Sequence, residues 1–209
     1  LRWKLTRSGD FTVKSMYVNV INSSSIPSSK HAWTVKVPLK IKVFMWFLHK
    51  QVILTKDNLT KRNWTGPTRC SFCDRDETIK HLFLDCPLAK VLWRTIHIAF
   101  NISPPSSVNT LFGTWLNRVE AGLARHIHVG VCALVWALWN CRNDLVFNRT
   151  THIHFLQVIF GATALIRSWS LLTLTKARER LVTGSIRWET VARGIFNRFG
   201  WRSCNRIGD

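Results

Sequence analysis

The sequence has 209 residues, 46% of them hydrophobic and 20% charged, and its 30 basic against 11 acidic residues give a formal net charge of +19. That hydrophobic content is enough to bury a core, which excludes a wholly disordered chain. The charge favours a polyanionic partner such as nucleic acid. Acidic residues are too sparse for the converging carboxylates of a two-metal polymerase or nuclease centre, since only Asp10 and Asp57 precede residue 74.

The first hundred residues predict a small β-hairpin followed by helices. Ser8-Gly9-Asp10 is a turn signal between two short apolar runs, and helical periodicity follows over residues 13–21. Pro38 is placed where a helix can begin. The apolar residues after it recur at helical spacing and are expected to be buried: Ile41, Phe44, Met45, Leu48 and Val52. Further helices are predicted over 57–62 and from Pro87 onward.

The second half of the chain predicts long helices after a linker. The segment from Asn101 to Ser107 contains Pro104-Pro105 and is the best candidate for a domain boundary. Apolar helical stretches follow at about 123–148 and 153–180, and their uninterrupted apolar runs fall short of the ~20 residues of a membrane span. We therefore expect core helices and no membrane contact. The predicted division is a domain over 1–100, a linker over 101–110, a helical region over 111–183 and a basic tail over 184–209.

Four residues in the segment 70–86 have the spacing of a metal site. Cys70, Cys73, His81 and Cys86 form the pattern C-x2-C-x7-H-x4-C. Two cysteines separated by two residues can bind one ion from a tight turn, and a second pair completes a tetrahedron, as in closed structural zinc sites. The alternative is a set of ordinary buried cysteines or a disulfide, which this spacing disfavours. We predict one structural Zn²⁺ that has no open position for catalysis.

Positive charge is concentrated on either side of this motif. Residues 1–69 hold 13 basic and 2 acidic residues, residues 70–100 hold 4 of each, and residues 101–209 hold 13 and 5. The candidate phosphate contacts therefore lie in the lysine-rich segment before the motif and in the tail after it. These candidates are Lys36, Lys40, Lys42, Lys50, Arg198, Arg202 and Arg206. The alternative is a solvated basic face without a partner. No secretory leader is evident at the start of the sequence, so we expect an intracellular, nuclear protein.

The motifs together resemble the reverse-transcriptase zinc-binding domain of plant non-LTR (LINE-type) retrotransposon polyproteins. The resemblance starts at Trp3 and includes Ser8-Gly9-Asp10-Phe11-Thr12-Val13-Lys14-Ser15-Met16-Tyr17 and Pro38-Leu39-Lys40-Ile41-Lys42-Val43-Phe44-Met45-Trp46. It continues through the spaced cysteines, Glu77-Thr78-Ile79-Lys80-His81-Leu82-Phe83 and Cys86-Pro87, and ends near Trp93. A looser similarity covers residues 136–144, which resemble the helix that often follows this domain.

This resemblance implies a non-catalytic piece of a polyprotein whose parent is an RNA-directed DNA polymerase. The sequence has neither the Tyr-x-Asp-Asp polymerase motif nor a convincing ribonuclease H carboxylate set. The expected fold is mainly α, namely a zinc-stapled helical module with a small N-terminal β-hairpin, followed by a helical C-terminal region. Two functions stay open: binding RNA or DNA next to the reverse transcriptase, or acting as a zinc-stabilised scaffold that docks on the polymerase domain.

Overall fold

The computed structural model describes residues 33–112, 114–151 and 153–199, together with Thr6, Gly9, Asp10, Thr12 and Ser15. Gly9 has a φ of 82° and its N–H donates to the carbonyl of Thr6 at 3.2 Å. Apart from Thr12 and Ser15, the strands of the predicted β-hairpin and the helix predicted over 13–21 lie outside the described residues, as do Arg202 and Arg206.

The described part of the chain is mainly helical, as the sequence predicts, and it contains no β-strand. Its α-helices are α1 (Leu39–His49), α2 (Lys56–Thr60), α3 (Pro87–Phe100), α4 (Ala121–Val146), α5 (Phe155–Ser170) and α6 (Thr175–Phe199). One π-helical turn, His81–Asp85, precedes α3, and two short 3₁₀ turns, Thr110–Phe112 and Thr114–Leu116, precede α4.

Helix α1 follows the sequence prediction closely, with one correction. It begins directly after Pro38 and buries Ile41, Phe44, Met45 and Leu48, a stripe that packs on α4 through Phe44 and the ring of Trp136. Val52 was predicted to extend this stripe, but the helix ends at His49 and the side chain of Val52 is 42% exposed. The reason is local, because Gln51 has a φ of 57° and turns the chain away.

Among the described residues of the C-terminal half, three helices pack together, and their boundaries differ from the prediction. The stretch predicted over 153–180 is two helices, since a turn over 171–174 separates α5 from α6. The residues predicted as a basic tail from Gly184 continue α6 as far as Phe199. Helix formation persists through Gly184 because Leu181 and Trp188 on either side are buried, and tertiary packing outweighs the glycine penalty of ~1 kcal/mol.

Residues 101–110 connect parts of the chain that share one hydrophobic core. Asn101 ends α3 in the left-handed conformation, with a φ of 56°. Across this segment, the indole N–H of Trp188 in α6 donates to Thr95 Oγ1 in α3 at 2.7 Å, and both groups are buried. The predicted division into domains stays a prediction, but the helices on the two sides of the linker pack directly on each other.

Helix α4 is the one helix in the described ranges that is long and apolar enough to cross a membrane by length and composition alone. The uninterrupted apolar run is shorter than this helix, because a polar residue such as Arg142 ends an apolar run without ending a helix. About 44% of its most apolar stretch of 18 residues is buried inside the fold, where the helix packs between α1 and α5. The core helix of a globular protein can be equally long and apolar.

Candidate metal centre

Cys70 and Cys73 lie on a tight loop that backbone hydrogen bonds hold closed. The N–H of Cys70 donates to the carbonyl of Arg75 at 2.7 Å, and the N–H of Glu77 donates to the carbonyl of Thr68 at 2.9 Å. An isolated antiparallel bridge pairs Arg69 with Asp76 at the base of the loop. This closure directs two cysteine side chains, three residues apart, toward one point.

His81 and Cys86 are brought together by the π-helical turn. The N–H of Cys86 donates to the carbonyl of His81 at 2.7 Å, which is an i to i+5 bond. In an α-helix, residues five apart differ by about 140° around the axis and point to different sides. The wider turn removes much of that difference, so both side chains reach the cysteine loop. This π-helical turn was not predicted from the sequence.

The four donor atoms fit a single zinc ion. All lie within 4.8 Å of one another, and Cys73 Sγ is 3.1 Å from His81 Nε2 and 4.0 Å from Cys86 Sγ. A tetrahedral zinc with bonds of about 2.3 Å to sulfur holds two sulfurs about 3.8 Å apart. Cys70, His81 and Cys86 are buried and Cys73 is half-buried. Four protein ligands in a closed, buried position are the signature of a structural zinc site.

The thiols of the site differ strongly in acidity. A hydrogen bond from the Cys86 thiol lowers the pKa of Cys70 to about 4, whereas that bond and burial raise the pKa of Cys86. Burial also raises the pKa of Cys73. Cys86 precedes the first residue of α3, a position that lowers a thiol pKa, but the neighbouring Cys70 and burial outweigh the helix. A bound zinc ion replaces the thiol protons and holds all three sulfurs as thiolates.

A buried ion pair that the sequence analysis missed ties the metal loop to α4. Arg142 Nη2 donates to Glu77 Oε1 at 2.6 Å, and the two side chains are 4% and 0% exposed. The guanidinium also lies 5.1 Å from the ring centroid of Trp139. Glu77 Oε1 accepts the backbone N–H of Lys56 at 3.0 Å, at the first residue of α2. A sequence feature that points to this ion pair is an arginine, Arg142, near the end of an apolar helix, because a buried charge needs a partner of opposite charge.

The predicted phosphate contacts lie in two separate places. Lys36 and Lys40 are exposed and Lys42 and Lys50 are half-buried. Lys36 precedes α1, Lys40 and Lys42 lie on it, and Lys50 directly follows it. Lys40 Nζ lies 5.9 Å from the ring of Trp136, Lys50 Nζ lies 6.0 Å from the ring of Trp46, and Lys42 Nζ donates to the carbonyl of Trp33 at 2.8 Å. Arg198 is exposed near the end of α6.

Comparison with known proteins identifies the metal-binding part of the chain. Residues 11–93 match the family described as zinc-binding in reverse transcriptase. A protein of Arabidopsis thaliana that carries the provisional name ribonuclease H protein is 28% identical over 100 residues, which is 44% of this chain and 16% of that relative. The chain therefore spans about a sixth of the relative's length. No solved structure matches the chain.

The matched family confirms the resemblance seen in the sequence. It is a zinc-binding domain and not a catalytic one, and the matched residues include all four of the clustered ligands. This part of the chain is a zinc-binding module related to reverse transcriptases. Helices α4, α5 and α6, which share its core, lie beyond the matched residues.

Proposed function

We propose that this chain is a non-catalytic, zinc-stabilised module that binds nucleic acid within a retrotransposon-derived polyprotein. The observation that carries the proposal is the charge around α1. Between Phe11 and Lys56 the sequence contains no aspartate or glutamate, and the lysines at 36, 40, 42 and 50 all lie on or beside one helix. Repulsion among uncompensated cations is relieved when phosphates approach them.

The structure gives this basic helix a fixed position. Its buried stripe packs on α4 through Phe44, and Glu77 links α4 to both the metal loop and α2. A zinc site that stabilises the fold therefore also fixes the surface that meets the ligand. In this proposal the ion itself contacts no phosphate, because its three thiolate ligands make the site negative. The parent polyprotein would be an RNA-directed DNA polymerase that acts in the nucleus.

A scaffold function is the second candidate, and a different surface favours it. The turn between α5 and α6 exposes three leucines, of which Leu174 is 86% exposed, and Leu171 and Leu172 are more than half exposed. An apolar cavity of about 700 Å³ lies between α3, α4 and α6, with Phe100, Leu123 and Trp188 in its lining. These are features of a surface that docks on another protein domain, such as the polymerase.

Salt dependence separates the two candidates. Phosphate contacts release counterions, so the binding constant falls steeply as salt rises, whereas apolar docking does not weaken in this way. The test measures binding of zinc-loaded protein to labelled RNA and DNA between about 50 and 200 mM salt. A triple variant, Lys36→Gln, Lys40→Gln and Lys50→Gln, should weaken binding and reduce the slope of log K against log salt by about 2–3 units.

A matched variant removes the same charge elsewhere. Lys61→Gln, Lys90→Gln and Lys176→Gln lie outside α1 and should change the slope much less. Lys42 is left intact in both proteins because its ammonium group holds the carbonyl of Trp33. If the wild-type protein binds neither RNA nor DNA at low salt, nucleic-acid binding is wrong and the scaffold function takes its place.

A further inference from the structure

Helix α1 is apolar on the side that faces away from the core. Leu39, Val43, Trp46 and Phe47 follow one another along this outer side, opposite the buried stripe. Leu39 is 68% exposed and Phe47 is 42% exposed, and Trp33 just before the helix is 43% exposed. A surface helix ordinarily presents polar residues to water, so this face has the composition of a binding surface.

Aromatic rings and lysines lie close together on and beside this outer face. The rings of Trp46 and Phe47 are in edge contact, with centroids 5.1 Å apart. Lys50 Nζ lies 6.0 Å from the ring of Trp46, and Lys42 Nζ is held at the carbonyl of Trp33. One ammonium group therefore lies beside the ring of Trp46, and a second lies at the backbone of Trp33. The face can meet a ligand that is flat and apolar in one part and anionic in the next.

We propose that this face binds single-stranded nucleic acid, with unpaired bases stacking on Phe47, Trp46 and Trp33 and phosphates lying against the lysines. This inference rests on the proposed function and specifies its substrate class and surface. Sequence-tolerant single-strand binding combines a basic track with aromatic side chains in this way. A duplex offers the same phosphates, but its bases are already stacked on each other and leave the rings unused.

Charge favours this occupant over a protein. A protein partner that covered the outer face would also cover the lysines beside it. Residues 11–56 contain no aspartate or glutamate that could pair with these lysines. Enclosing unpaired cations is costly. A single strand brings its own negative charges at regular intervals, so it satisfies both the rings and the cations.

The test compares an unstructured oligonucleotide with a duplex of the same sequence by fluorescence anisotropy, using the zinc-loaded full chain. Phe47→Leu keeps the apolar volume of the side chain and removes the ring. We expect it to weaken single-strand binding by ~5-fold or more, the effect of losing one stacked base, and to leave duplex binding unchanged. Phe47→Tyr keeps a ring and should retain wild-type affinity. Trp33→Leu added to Phe47→Leu should weaken single-strand binding further.

Phe147→Leu is the matched control, since Phe147 is 63% exposed at the end of α4 and lies outside this face. It should bind both ligands like the wild type. Equal losses for single strand and duplex in Phe47→Leu, or no loss in either, would overturn the stacking inference. If the triple lysine variant nevertheless reduces the slope of log K against log salt, the proposal of nucleic-acid binding stays valid and only the stacking on aromatic rings is wrong. Loss of binding to a purified reverse-transcriptase domain, with oligonucleotide binding intact, would instead identify the face as a protein-docking surface.

Discussion

Glu77 connects three parts of the molecule: α4, α2 and the metal loop. Its oxygens accept from Arg142 in α4 and from the first backbone N–H of α2, while its own N–H closes the metal loop on Thr68. Both partners of the ion pair are buried. A buried pair of this kind contributes little compared with an apolar replacement, but removal of one partner leaves a costly unpaired charge.

Arg142→Met should therefore destabilise the zinc-loaded protein by ~3–5 kcal/mol, because it leaves the Glu77 carboxylate buried without its cation. Adding Glu77→Gln should recover part of that loss, since the remaining amide carries no charge. Urea denaturation of the two single variants and the double variant measures the coupling. Arg149→Met is the control, because it breaks the exposed Arg149–Asp144 pair in the same region and should cost ~0–1 kcal/mol. Equal costs at the two arginines would contradict the buried-pair argument.

Cysteine reactivity provides a second prediction at the scale of single residues. Burial raises the pKa of Cys132 to about 12 and of Cys141 to about 11. Below those values the thiol stays protonated, and only the thiolate reacts with iodoacetamide. At pH 8, protein treated with a chelator should be alkylated at Cys70, Cys73 and Cys86 well before the two helix cysteines. Without the metal the loop that carries these three thiols opens, so the burial that raises the pKa values of Cys73 and Cys86 is lost. Zinc-loaded protein should resist alkylation at these three sites.

Native mass spectrometry of the same samples should find one zinc ion per chain before chelation and none after it, and peptide mapping identifies each labelled cysteine. Fast labelling of Cys132 in zinc-loaded protein would show that α4 is not buried as described. Equal labelling of Cys70, Cys73 and Cys86 with and without chelator would contradict a closed zinc site.

The metal ligands could be predicted from sequence because their spacing is local. Cys70 and Cys73 act from one turn, and His81 and Cys86 from the next, so seventeen residues contain the complete site. Glu77 and Arg142 are 65 residues apart, and no periodicity within either segment indicates the other. Their pairing depends on how α4 packs against the metal loop, which is a property of the tertiary structure.

Helix boundaries were predictable where a strong local signal coincides with a change in burial. Pro38 directly precedes α1 and Pro87 is the first residue of α3, as predicted, since a proline suits the start of a helix. The break between α5 and α6 has neither proline nor glycine, because residues 171–174 are Leu-Leu-Thr-Leu. At Gly184 the prediction placed a boundary where the structure has none, because α6 continues through this residue.

Gly184→Ala should stabilise the protein by ~0.5–1 kcal/mol. Alanine is the better helix former by about that amount, and an added Cβ would lie 3.9 Å from the Phe100 ring, an ordinary contact distance. Gly194→Ala, where an added Cβ meets nothing within 4 Å, reports the helix propensity alone. Thermal or urea unfolding of both variants measures the difference. A destabilised Gly184→Ala would mean that α3 and α6 approach more closely at this point than the structure gives.

At the scale of the whole molecule, the family match and the folded unit have different limits. The match ends at residue 93, whereas α3 runs to Phe100 and its Thr95 bonds to Trp188. Trp93, the last matched residue, packs edge-on against Trp115 beyond the linker, with ring centroids 5.6 Å apart. Sequence patterns predicted the helices on each side but not that they share a core, because side-chain contacts across a linker leave no periodic signal.

His81→Ala tests how far the zinc site supports this shared core. The variant removes one of four ligands, and structural zinc sites contribute apparent free energies of ~10–16 kcal/mol, which equals or exceeds the total stability of a typical domain. Apart from the metal, the loop over 66–80 is held by its short bridge and by the bonds of Glu77. Because the zinc contribution is larger than these contacts can replace, we expect the loop to unfold around Cys70 and Cys73. Helices α4, α5 and α6 pack on one another and should keep their circular-dichroism signal.

We expect limited proteolysis of His81→Ala to cleave within about 60–86, while α3 stays protected because Trp188 and Trp115 hold it from outside the zinc module. His97→Ala, which changes an exposed histidine in the last turn of α3, should keep both zinc and protease resistance. If cleavage spreads into α3 and the circular-dichroism signal of the helices is lost, zinc stabilises the whole molecule, and the shared core does not stay folded without it. If His81→Ala resists protease and loses only nucleic-acid binding, the zinc site recognises the ligand, and its assignment as a structural site is wrong.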